Sequence, residues 1–167
     1  MSEGLSVCPG CGVELPDIEG PIHRYMTSSP ACYEVFNRIL ATEYSDPKLG
    51  ATHRLSVDTY AVQHPGSGEK RREIQSVGLH LARLTLQLRR DMSPQKTNEV
   101  MLGFTKHKAS LIYLEPPKSY ELTVADIEPH IGGTKHPAMV TQWAKATLHA
   151  WSAHHDYIDD WIEQTWR

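Results

Sequence analysis

The chain has 167 residues, is 40% hydrophobic and 22% charged, and carries a formal net charge of −3. That length suits one domain with a core of useful size. The charge balance excludes the basic face of a general nucleic-acid binder, no apolar stretch reaches the ~18–20 residues of a membrane span, and the N-terminus shows no signal-peptide pattern.

In chain order, residues 1–29 are rich in Gly and Pro, lack a period and read as a metal-organised loop. Ser29-Pro30 is a helix start, with Ser as N-cap and Pro at the first helical position. Tyr33, Phe36, Ile39, Leu40 and Tyr44 recur at helical spacing, predicting a helix to about Tyr44. A second helix is expected from Ala51 to Gln63, stopped by Pro65-Gly66-Ser67-Gly68. The third, from Lys70 to Arg90, carries the clearest stripe: Ile74, Val77, Leu81, Leu84 and Leu88. Asn98 to Lys108 has a weaker helical pattern. Leu111 to Pro117 reads as extended, and Thr123 caps one turn to Ile127. The last helix is expected from Pro137 almost to the C-terminus. The sum is an all-α four-helix bundle in a single domain, 1–167, with a zinc-binding knuckle segment at 1–32 and the bundle at 33–167. Lys70-Arg71-Arg72 and Lys106-His107-Lys108 read as solvated surface.

The strongest motif uses every cysteine in the protein. Cys8-Pro9-Gly10-Cys11-Gly12 is followed by His23 and Cys32, a C-x2-C-x11-H-x8-C pattern. Three sulfurs and one imidazole are the donor count of a closed tetrahedral zinc site. Cys32 falls in the first turn of its helix, where the helix dipole favours a thiolate. Asp17 and Glu19 are the alternatives to His23. Three cysteines cannot all pair, so reduced, metal-bound thiolates in the cytoplasm are expected rather than disulfides.

Nine histidines remain. Helical phase puts His53, Val57, Tyr60 and His64 on one face, His80 inside the stripe of the third helix, and His154 in line with Val140, Thr147, Trp151 and Ile158. Several inward imidazoles in a dry core each need a donor and an acceptor satisfied. A shared divalent metal (Zn2+, Ni2+ or Fe2+) would take the acceptor nitrogens together. The expectation is therefore a second, open site built from His64, His80 and His154. His53 lies about 16 Å along the helix from His64. His155 replaces His154 if the phase shifts by one residue. Asp58 is expected behind the ligands or on the surface, and His107, His130, His136 and His149 on the surface or in loops.

The runs Cys8–Gly12, His23-Arg24-Tyr25, His53 to Gly66 and Ile74 to Leu81, with Trp151-Ser152-Ala153-His154-His155, resemble an uncharacterised prokaryotic domain-of-unknown-function family whose members open on the same cysteine knuckle. That resemblance implies no activity. The three inward histidines also resemble the DinB/YfiT-like four-helix bundles, which bind a divalent metal through a histidine triad. The implied triad here is His64, His80 and His154, and the implied chemistry is thiol-dependent transfer or isomerisation. That superfamily commonly carries H-x3-H on its last helix, where this chain has His149, His154 and His155.

Two functions follow. One is a metal-dependent enzyme, a hydrolase or thiol-type transferase acting on a small-molecule substrate. The other is a non-catalytic zinc-binding interaction module. Trp143, Trp151, Trp161 and Trp166 on the last helix would supply such a module's interaction surface and leave room for a homodimer. No nucleic-acid or membrane partner is expected.

Overall fold

The computed structural model describes residues 4–166. They form a mostly helical molecule with one small hairpin. Strand β1 (Leu5–Val7) pairs antiparallel with β2 (Glu14–Pro16), Ser6 opposite Leu15. The helices are α1 (Pro30–Tyr44), α2 (Gly50–Gln63), α3 (Arg71–Leu84), α4 (Pro94–Thr105), α5 (Val124–Ile127), α6 (His136–Ala150) and α7 (His155–Thr165).

The hairpin replaces the loop expected before α1. Its strands are three residues each, too short for alternation to show in the sequence. Ser29 caps α1 as predicted, its hydroxyl accepting from the Cys32 N–H at 3.3 Å. Thr123 and Asp126 form a reciprocal capping box on α5. The predicted third helix is continuous, but its last turn, Thr85–Arg89, winds as a π-helix. Asp91, at φ +47°, then turns the chain out of the helix.

One expectation fails. The long C-terminal helix breaks at Trp151, where a 3-10 turn over Ser152–His154 separates α6 from α7. That break resets the helical phase, so His154 no longer shares a face with Val140 and Thr147. The all-α expectation holds at the level of a mostly helical chain. Helix α2 is central, flanked by α1, α3 and α6. Consequently every residue from Thr59 to Gln63 is buried, and so are the polar Ser56 and Asp58.

The core has two halves. One joins α3, α4, α6 and α7 through Leu81, Leu84, Phe104, Leu148, Trp151 and Trp161. The other joins the cysteine knuckle to α1, α2, α5 and α6 through Phe36, Ile39, Tyr60, Ile127 and Trp143. Trp143, Trp151 and Trp161 are core residues, and only Trp166 is exposed. The tryptophan-lined interaction surface is thus reduced to one residue.

Candidate metal centre

The hairpin exists to present two sulfurs. Cys8 and Cys11 sit at its tip, where the Cys8 N–H bonds the Val13 carbonyl at 2.8 Å and the Gly12 N–H bonds the Cys8 carbonyl at 2.9 Å. Gly12 adopts φ +81°, a left-handed conformation that glycine reaches without steric cost. Gly10 has a different task. A Cβ there would lie 2.3 Å from the Thr27 carbonyl oxygen and 2.6 Å from the His64 ring. The knuckle therefore packs directly onto the end of α2, which only a bare backbone permits.

The third sulfur comes from the first turn of α1. Ser29 couples it to the first, because its own N–H points at Cys8 Sγ, 3.4 Å away, while its hydroxyl caps the Cys32 N–H. The fourth ligand comes from the C-terminus of α2. It is His64, not His23. Cys8, Cys11, Cys32 and His64 are all buried, and their ligand atoms lie within 4.8 Å of one another.

His64 is oriented before any ion arrives. It follows the last residue of α2 and precedes Pro65, which disfavours a helical conformation at His64. Its φ of −126° and ψ of 56° swing the ring out of the helical path. Nδ1–H donates to the Tyr60 carbonyl at 2.7 Å, which leaves the Nε2 lone pair aimed at the sulfurs, 3.3 Å from Cys32 Sγ. The ring stacks on Tyr60 at 3.8 Å, and Tyr60 stacks on Phe36 at 3.8 Å. The Tyr60 hydroxyl reaches Cys32 Sγ at 3.6 Å. Burial and then the adjacent Cys32 push the Tyr60 phenol well above its ordinary range, so it stays a donor toward that sulfur.

The dimensions suit a small tetrahedral cation. Ligands about 2.3 Å from a tetrahedral centre stand about 3.8 Å apart, and a sulfur–nitrogen edge is slightly shorter. The Cys11–Cys32 sulfur separation is 3.8 Å and the Cys32–His64 separation 3.3 Å. The charges point the same way. Contacts with Cys11 and Cys32 pull the Cys8 thiol far below its usual range. Contacts with Cys11 and Cys8, with burial, hold Cys32 far above it. Cys11 is lowered by Cys32, but its contact with Cys8 and its burial outweigh that and push it up to about 12. Left alone the cluster favours one thiolate, and a divalent cation is what allows three.

His23 lies elsewhere. Its Nδ1 accepts from the Tyr25 N–H at 3.3 Å, and its ring meets Tyr25 edge-on at 4.7 Å. Desolvation, then Arg24 and His80, hold its imidazole below the usual range, favouring the neutral form.

The expected second metal site does not assemble. His64 belongs to the cysteines. His80 donates through Nδ1 to Asp58 at 2.7 Å, and His154 donates through Nε2 to the Glu115 carbonyl at 2.9 Å. His155, its alternative, donates to the Leu148 carbonyl at 2.7 Å. Among the described residues, the cysteine–His64 cluster is the one group of three or more such ligands that converges. His53 and His136 are also accounted for, both bonded to the buried Glu43 carboxylate, at 3.2 and 2.9 Å. His136 is therefore a core residue, not a surface one.

A model for a family of unknown function, DUF5946, matches residues 6–152. The chain belongs to that family. No curated protein and no solved structure matches it. The DUF5946 match includes all four clustered ligands and ends before α7. The missed ligand did leave a trace in the DUF5946 sequence: a histidine just before the proline that stops a helix, at the end of an otherwise buried segment. Its distance from Cys32, 32 residues along the chain, hid it from a search for a nearby partner.

Proposed function

We propose that Cys8, Cys11, Cys32 and His64 hold one Zn2+, and that this ion is structural. Three thiolates and an imidazole are the soft, tetrahedral donor set that suits zinc. All four positions are filled by the chain, so the ion has no place for a substrate or an activated water. The observation that carries the reading is the His64 ring, fixed by the Tyr60 carbonyl with its free nitrogen toward the three sulfurs. Zinc would supply the charge that keeps three buried sulfurs ionised together. The chain's own residues do the fastening: the hairpin, the start of α1 and the end of α2 meet at one point. Thiolates of this kind persist in a reducing compartment, which favours the cytoplasm.

The metal-dependent hydrolase or transferase reading needed His64 at an open site, and the cluster occupies it. A zinc-stabilised helical domain without catalysis at its metal is the better-supported function. Elemental analysis tests this. The purified protein should carry one zinc per chain, kept by His23→Ala, His80→Ala and His154→Ala and lost by His64→Ala. Retention in His64→Ala with loss in His23→Ala would overturn the ligand set.

A further inference from the structure

The side chains left over from the failed triad form a site of another kind. Asp58 is fully buried on α2. Its Oδ1 accepts from His80 Nδ1 at 2.7 Å, and its Oδ2 accepts from Gln87 Nε2 at 2.9 Å. The π-helical turn at Thr85–Arg89 carries that Gln87, and such turns recur at functional sites. The Arg83 Nε lies 3.3 Å from Oδ1 without the alignment of a hydrogen bond. Its Nη groups have no hydrogen-bond partner among the described residues. In the neutral ring, the Nδ1 proton held by Asp58 leaves Nε2 as an acceptor.

His80 and Arg83 both line an open groove of about 460 Å3 between α3 and α4. Leu79, Met101 and Leu102 make much of its wall, with Ser76 and Asn98 beside them. Asp58 reaches the groove only through the two side chains it holds.

We infer that this groove binds a small 2-hydroxy carboxylate with an apolar substituent. The Arg83 Nη fork takes the carboxylate, His80 Nε2 accepts the hydrogen bond of the hydroxyl, and the Leu79–Met101–Leu102 wall takes the apolar part. Among the described residues, Arg83 is the only lysine or arginine lining the groove, which fits a monoanion rather than a phosphate dianion. Asp58 is a positioning residue, fixing the His80 tautomer as carboxylates do behind other working histidines. The site is independent of the zinc cluster.

Mandelate is a suitable probe, with phenylacetate lacking its hydroxyl and benzyl alcohol lacking its carboxylate. Titration of the zinc-loaded, 15N-labelled full chain should move the His80 Nε2 and Arg83 Nε resonances saturably with mandelate. Phenylacetate should bind roughly tenfold more weakly, the cost of leaving an oriented acceptor unpaired, and benzyl alcohol more weakly still. Arg83→Gln should lower mandelate affinity at least tenfold. His80→Gln should erase the preference for mandelate over phenylacetate while leaving phenylacetate unchanged. Both side chains are partly exposed, so both variants should fold. Equal affinity for the two acids, silence at His80 with all three probes, or variants that lose stability without changing binding would each reduce the cluster to a tie between helices and overturn the inference.

Discussion

Two glycines two residues apart in the knuckle do different jobs, and substitution separates them. Gly10 is bare because the Thr27 carbonyl and the His64 ring leave no room for a Cβ. A Cβ at Gly12 would meet nothing within 4 Å, so that position is glycine only for its φ of +81°. Gly10→Ala should therefore push the knuckle off α2, costing about 1–3 kcal/mol and weakening metal retention. Gly12→Ala should cost about 1–2 kcal/mol of backbone strain and keep the metal. Urea unfolding with zinc quantification reads both, and equal metal loss in the two would contradict the packing argument. The histidines teach the same lesson at this scale. Side-chain type announced a Cys3His centre, but which histidine joins depends on a proline one residue later and a carbonyl four residues earlier.

At the scale of elements, Glu43 shows how α1, α2 and α6 are tied. Its carboxylate is buried and accepts from His53 and Ser56 of α2 and from His136 of α6. The His136 Nδ1 in turn accepts from the Gly132 N–H at 3.0 Å, so its proton sits on Nε2, facing Glu43. Glu43→Ala should leave buried donors unpaired on two helices and cost about 2–4 kcal/mol, with Glu43→Gln milder because one acceptor oxygen survives. The urea midpoint checks it, and an unchanged midpoint in Glu43→Ala would show the network to be idle. Helix α2 also explains why periodicity misled. Its apolar residues do not segregate to one side because its C-terminal half is buried all round, so phase could not say which way Asp58 points. Helix α3, amphipathic and half exposed, was legible over its whole length. The break at Trp151 was not, since no Pro or Gly marks it.

At the scale of the molecule, the metal cluster belongs to one half of the core and α3, α4 and α7 to the other. Removing zinc with a strong chelator should raise amide exchange first in β1, β2, residues 26–33 and the end of α2. The α7 amides around Trp161 and Ile162 should hold their protection longer. Simultaneous loss in both halves would show that the two cores unfold as one cooperative unit. The order of elements was largely readable, because caps, prolines and amphipathic stripes are local signals. So was a candidate metal centre, because three cysteines with knuckle spacing have few other uses. Local chemistry in the sequence thus determined most of the helices and the three sulfurs of the candidate site. Only the tertiary structure decided the fourth ligand, the burial of Asp58 and His136 and the separation of His64, His80 and His154, because each depends on which distant helix lies alongside, and no window of sequence contains that neighbour.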